Sequence, residues 1–229
     1  MRILALDTAT QACSTTLLTD GVEISREIET DRAHAQLILS MIDAVLMQGQ
    51  TSLKALDALA FGRGPGAFTG VRLAASVAQG LAFGAGLRVV PISDLSAVAQ
   101  RALDLDSRID HLLVCNDARM QEVYWACFDR DSSGLASLTG SEHVSGVGGI
   151  ALPGSWSGGL GGAGRGFRVY PEIGAGIAAK LAHIHDDLLP RAAEIARLAV
   201  AQLAAGCSYP AEEAIPVYLR DDVTRASRN

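Results

Sequence analysis

The sequence predicts an α/β protein made of two lobes of related topology. Three observations carry this. An apolar strand that ends on an acid occurs twice, as Ile3-Leu4-Ala5-Leu6-Asp7 and as His111-Leu112-Leu113-Val114-Cys115-Asn116-Asp117. Each copy is followed by two more strand-like runs, and the first continues as helix, strand, helix, strand, helix. Finally, 49% of the 229 residues are hydrophobic, enough for two lobes with cores of their own.

Residues 2–7, 12–19 and 22–30 read as three strands. The Asp20-Gly21 pair between the last two is a hairpin turn. Asp31 is a candidate cap for a helix running to Gln48. One apolar stripe on that helix is Leu37, Met41 and Ala44, a second is Ile38, Ile42 and Val45, and Leu39 and Leu46 widen the arc. Residues 57–61 form a fourth strand, a glycine loop follows, and a helix spans 69–84. Residues 88–92 are a fifth strand, after which Ser93 or Asp94 caps a helix ending near Leu103. This is the order of a ribonuclease-H-like half-domain. It begins again with strands at 111–117, 122–130, 135–139 and 156–160, then a glycine-rich loop through Gly166. Pro190 suits the first turn of a last helix ending near Leu203. The lobes are 1–105 and 106–229, meeting within 105–110, with the last helix free to pack back on the first lobe.

Composition narrows the function. The net charge is −6, and Lys54 and Lys180 are the only lysines. Affinity for phosphate backbones comes mostly from Lys and Arg, so nucleic acid would be met through a more basic partner. Cys13, Cys115, Cys127 and Cys207 are far apart in sequence, which fits a reduced, cytoplasmic protein. The apolar start meets Asp7 too early for a signal-peptide core. The apolar run 71–87 is interrupted by Ser76, Gln79, Gly80, Gly84 and Gly86, so it reads as a buried helix and no membrane is expected.

The most informative segment is Gly62-Arg63-Gly64-Pro65-Gly66-Ala67-Phe68-Thr69-Gly70-Val71-Arg72. A strand, a glycine loop and a helix start can aim several N–H groups at one anion. No Lys follows the last glycine, and the spacing is not Gly-x-Gly-x-x-Gly, so neither standard nucleotide loop is present. Asp7 and Thr8 after the first strand, Gly64 and Gly66 in the loop, and Asp117 in the second lobe are the candidate nucleotide- or anion-binding residues. The competing reading makes Asp7 a turn or capping residue, the glycines a tight turn, and Asp117 the partner of Arg119 in a structural ion pair. Side chains on Thr8, Ala9 and Thr10 narrow any approach of phosphate. His34 reads as a hydrogen-bonded structural histidine. The segment His183-Ile184-His185-Asp186-Asp187 only superficially suggests a metal cluster. No Ser-His-Asp order, activated Cys or paired-carboxylate arrangement stands out.

Several segments together resemble the TsaB family: residues 3–10 with Cys13-Ser14, Arg32-Ala33-His34 with Gln36, residues 64–72, and residues 80–84. Asp117-Ala118-Arg119-Met120, Glu122-Val123-Tyr124 and Pro216-Val217-Tyr218-Leu219-Arg220 continue the match in order along the chain. Departures are Asp31, Ala35 and Ala67 where the family often has Ser. The resemblance implies two ribonuclease-H-like lobes of the sugar-kinase/Hsp70/actin fold, no cofactor, and a non-catalytic role beside the paralogue TsaD. TsaD transfers the threonylcarbamoyl group from threonylcarbamoyl-AMP to the adenosine next to the anticodon in tRNAs reading codons that begin with A, and the ATPase TsaE joins the assembly. Where TsaD-like sequences carry two metal-binding His four apart, this chain has Asp94 and Val98, so that site is lost.

The resemblance also assigns a partner face, for TsaD or for a second copy, to the first two helices: His34, Ile38, Met41, Val45, Ala74, Ala75, Ala78 and Ala82. Their apolar arc and small residues permit close helix approach. An Ala78→Arg change is accordingly expected to cost partner binding and leave the fold cooperative. Alternatives of other classes are an ATP-using enzyme of the sugar-kinase type and a metal-dependent peptidase acting on the TsaD-like partner.

Overall fold

The computed structural model describes residues 1–30, 32–177 and 180–220. The first sheet holds β1 (Arg2–Asp7), β2 (Ala12–Thr19), β3 (Val22–Glu29), β4 (Ala58–Gly62) and β5 (Arg88–Ile92) in the order β3-β2-β1-β4-β5. β1, β2 and β3 are antiparallel, whereas β4 and β5 run parallel to β1. Asp20 and Gly21 both have positive φ, the backbone that a two-residue hairpin turn demands. The helices of this part are α1 (His34–Gln48), α2 (Phe68–Ala85) and α3 (Asp94–Leu105). The second sheet repeats the topology. β6 (His111–Asp117), β7 (Glu122–Arg130), β8 (Ala136–Gly146), β9 (Leu160–Ala163) and β10 (His183–His185) stand in the order β10-β9-β6-β7-β8. Two short helices, α4 (Gly166–Val169) and α5 (Pro171–Gly176), separate β9 from β10, and α6 (Ala192–Ala204) follows.

Alternation along the strands sets the layers. Leu4 and Leu6 of β1, with Leu59 and Phe61 of β4, pack against Ile38, Met41, Ile42 and Val45 of α1 and the alanines of α2. The opposite face of the same strands, Ile3, Ala5, Ala58 and Ala60, packs on Ala192, Ile195, Ala196 and Ala199 of α6. α3 lies beside α6 and turns Leu95, Val98, Ala102 and Leu103 toward Leu112, Val114 and Phe128 of the second sheet. The two sheets therefore enclose a shared helical layer. Residues 206–220 then cross back over the first lobe. There Val89 and Tyr209 exchange both backbone hydrogen bonds, covering the edge of β5.

Several expectations need correction. α1 starts at His34 with Ala33 as its cap and no side-chain capping bond, whereas Asp31, the expected cap, lies outside the described residues. α6 starts at Ala192, so Pro190 precedes the helix. The strand expected at 156–160 is displaced to Leu160–Ala163, inside the supposed glycine loop. A Cβ on Gly161 would lie 2.6 Å from Ile109, and one on Gly162 would lie 2.8 Å from Phe167. Those glycines are strand residues kept bare by close packing. β8 continues past Gly140 to Gly146 through a bulge opposite Ala126. Gly140 takes φ +85° there, which a side chain would resist.

The largest correction concerns the expected partner face. Ile38, Met41, Val45, Ala74, Ala75, Ala78 and Ala82 are all buried in the first lobe's own core. His34 is partly buried, with Nε2 bonded to Thr10 O at 2.9 Å. The wide apolar arc of α1 and the alanine stripe of α2 are what two helices need to lie close on a sheet.

Candidate functional site

The carboxyl ends of β1, β4 and β5 meet at the glycine loop, and several of the loop's polar groups bond within the chain. Ala67 N donates to Ala9 O at 2.7 Å, and Gly64 N donates to Asp94 Oδ2 at 2.5 Å. Asp94 N returns a bond to Gly64 O at 3.0 Å, and Thr8 Oγ1 donates to Gly70 O at 2.7 Å. The glycines fit backbone against backbone. A Cβ on Gly66 would stand 2.5 Å from Ala9 O, one on Gly70 2.1 Å from Thr8 O, and one on Gly64 2.8 Å from Val217 O. Thr8 and Ala9 thus pack directly against the loop, with no room for side chains at Gly66 or Gly70.

Asp7 and Thr8 sit with Gly64 and Gly66 around this junction, but Asp117 belongs to the second lobe. Its Oδ1 accepts from Arg119 N at 2.8 Å and from Tyr170 Oη at 2.9 Å, and the Arg119 guanidinium is 3.3 Å away. His183 and His185, as alternate residues of β10, share a strand face. Asp187 is taken by Arg165 and Arg168, each at 3.0 Å. Among the described residues, no three His, Cys, Asp or Glu side chains are grouped to hold a metal ion.

Two features escaped the sequence reading. A paired-carboxylate arrangement is present after all: Asp7 and Asp94 are fully buried, with their carboxyl groups within hydrogen-bonding reach of each other. Burial pushes the Asp7 carboxyl up to about 6, and burial, with the Asp7 charge next, pushes Asp94 well above the usual carboxylate range. The second feature is Glu142, which the β8 bulge aims into the first lobe. Its carboxylate lies 3.0 Å from Arg63 and accepts from Ser93 Oγ. Ser93 also caps α3, accepting from Leu95 N at 3.1 Å and Ser96 N at 3.3 Å. Ser93→Ala should cost about 2 kcal/mol in urea unfolding, because it removes a cap and a donor to a buried carboxylate together. A loss below about 0.5 kcal/mol would show that neither bond matters in solution.

The surface of α2 away from its core carries Ser76, Gly80, Phe83 and Gly84, all exposed. Nothing lies within 4 Å of where a Cβ would stand on Gly80 or Gly84. Leu39 and Met47 of α1 and Phe68 of α2 add exposed apolar area. A groove of about 470 Å³ flanks α2, between Arg72, Ser76 and Gln79 on one side and Ile215, Pro216 and Tyr218 on the other.

Two copies of one 3-2-1-4-5 sheet around a shared helical layer define a duplicated ribonuclease-H-like α/β protein, here with its glycine loop packed shut. The chain belongs to the TsaB family. It is 39% identical to the tRNA threonylcarbamoyladenosine biosynthesis protein TsaB of Escherichia coli K12, over 97% of this chain and 96% of that one. Identity to the protein of the same name from Haemophilus influenzae is 50%, over 55% of this chain and 53% of that one. Residues 26–154 match the family described as TsaD: tRNA N6-adenosine threonylcarbamoyltransferase. The structure of YeaZ from Pseudomonas aeruginosa superposes with a TM-score of 0.87 at 41% identity, covering 95% of this chain and 99% of that one. No helix among the described residues is long and apolar enough to cross a membrane.

Proposed function

We propose that this chain is a non-catalytic subunit in the synthesis of threonylcarbamoyladenosine in tRNA. It pairs with a TsaD-like paralogue that performs the transfer from threonylcarbamoyl-AMP, and a TsaE-like ATPase joins the pair. Its relatives' names supply the pathway. The observation that supports the non-catalytic role is the close packing of Thr8 and Ala9 against the glycine loop, which narrows the space where a phosphotransferase would hold phosphate.

The pairing surface is the outer face of α2 with its α1 neighbours, one helix face removed from the residues that the sequence pattern selected. Glycine inside a helix costs roughly 1 kcal/mol relative to alanine. Gly80 and Gly84 bear that cost with open space before them, so nothing among the described residues explains it. A partner helix approaching closely over Ser76, Gly80 and Gly84 does. Without the paralogue, a second copy of this chain fits the same face. tRNA is met through the complex, as the chain's net charge of −6 suits. The raised pKa values of buried Cys13 and Cys127, about 11 and about 12 through burial, keep those thiols unreactive and suit the cytoplasm.

Mixing the purified chain with its TsaD-like paralogue and measuring the mass of the product tests the proposal. A stable one-to-one assembly that restores tRNA modification is expected. Turnover of ATP by the chain alone would overturn it in favour of the kinase-type reading.

A further inference from the structure

Asp7, at the end of β1, and Asp94, at the start of α3, meet with no solvent contact. Asp7 Oδ1 accepts from Ala9 N at 2.9 Å, and Asp94 Oδ2 accepts from Gly64 N. That leaves Asp7 Oδ2 and Asp94 Oδ1 buried without a donor, although the two side chains lie within hydrogen-bonding reach of each other. The absence of a side chain on Gly62 permits this. A Cβ there would stand 2.5 Å from Asp94 Oδ1 and 2.6 Å from Asp7 Oδ1.

Two carboxylates at this range, away from water, do not both ionise, because each charge raises the cost of the other. The surroundings do not relieve them. Glu27 of β3 adds negative potential at Asp7, and the Cys13 thiol of β2 is neutral. Glu142 of β8 adds a further carboxylate at the loop. The cation facing the pair is Arg63, which is already committed to Glu142. A single proton supplies the missing donor and removes one of the two charges.

We infer that Asp7 and Asp94 form a proton-binding site that holds one proton near neutral pH and thereby clamps the glycine loop to β1 and α3. Through Gly64 N the site fixes the loop from which α2 departs, so proton release puts a like-charge pair under the loop's attachment point. The direction of the linkage follows. The folded chain binds this proton more tightly than the unfolded chain does. The stabilisation is therefore complete below the ordinary carboxylate range near pH 4, and it is lost as pH rises through about 6 and beyond.

Carbon-13 labelling of aspartate in the full chain, followed by NMR from pH 4 to 9, tests the site directly. Two carboxyl resonances are expected to share a late titration step, well above the others. Asp94→Asn supplies the second reading. Its oxygen still accepts from Gly64 N, and its amide donates to Asp7 as a protonated acid would, at every pH. At pH 8 the variant should melt on the order of 5 °C above the parent. The parent should gain in Tm from pH 8 to pH 5, and this gain should be absent from the variant. If all carboxyl resonances hold ionised positions from pH 5 upward, or Asp94→Asn melts below the parent at pH 8, there is no shared proton. If the variant fails to fold, the titration of the parent alone decides.

Discussion

An Ala78→Arg chain is expected to lose its cooperative native state at 25 °C. Ala78 is fully buried on α2, in the cluster built from Leu59 and Phe61 of β4, Val89 of β5 and Ile38 and Val45 of α1. An arginine there must thrust a long side chain between helix and sheet and bring its charge out of water. The side chains of that cluster are apolar and offer it no partner. Overpacking alone costs about 1–3 kcal/mol. An uncompensated buried charge adds about 3–5 kcal/mol even after relaxation. The total reaches much of the 5–15 kcal/mol that ordinarily holds a domain together. Circular dichroism on heating would show no sharp transition, or one lowered by tens of degrees. A cooperative melt within a few degrees of the parent would mean that this face of α2 is not core, and the layer order described above would be wrong.

The sequence pattern points the other way for Ala78, and the reason is physical. A stripe of alanines at helical spacing marks a face where something comes close, but it does not say whether that neighbour is the chain's own sheet or another molecule. Burial resolves this, and burial depends on β4 and β5 reaching the helix. Local signals fared better where local chemistry decides the outcome. The Asp20-Gly21 hairpin, the strands at 2–7, 88–92, 111–117 and 122–130, and the cap at Ser93 all stand where their residues place them. The strand at 160–163 was hidden because its glycines answer to Ile109 and Phe167, contacts that no local pattern records. The site divides in the same manner. Asp7 and the glycine loop are visible in the chain as written. Asp94 joins Asp7 across 87 positions only because β5 lies beside β4, and Glu142 arrives from the other lobe by way of a bulge. The two glycines on the outer face of α2 were legible in principle, since two glycines inside one helix form a costly pattern. Their meaning depended on knowing which face is bare.

Gly80→Leu is expected to do the reverse of Ala78→Arg, although the two positions are only two residues apart on one helix. The first side chain enters open space, with nothing within 4 Å of its Cβ, so the isolated chain has no steric objection to it. Leucine is also the better helix former by about 0.8 kcal/mol, which should raise the melting temperature by about 2–3 °C. Association should move in the opposite direction. A branched side chain in the middle of Ser76, Gly80 and Gly84 holds a partner helix away from its seat, a disruption on the scale of a central hot spot, about 3 kcal/mol. That corresponds to a fall in affinity for the TsaD-like paralogue of about a hundredfold or more. Calorimetric titration of the paralogue, beside a thermal melt of the chain alone, reads both effects in one preparation. A more stable variant that still binds with the parent's affinity would remove this face of α2 from the interface, and with it the reason for two helical glycines that nothing among the described residues requires.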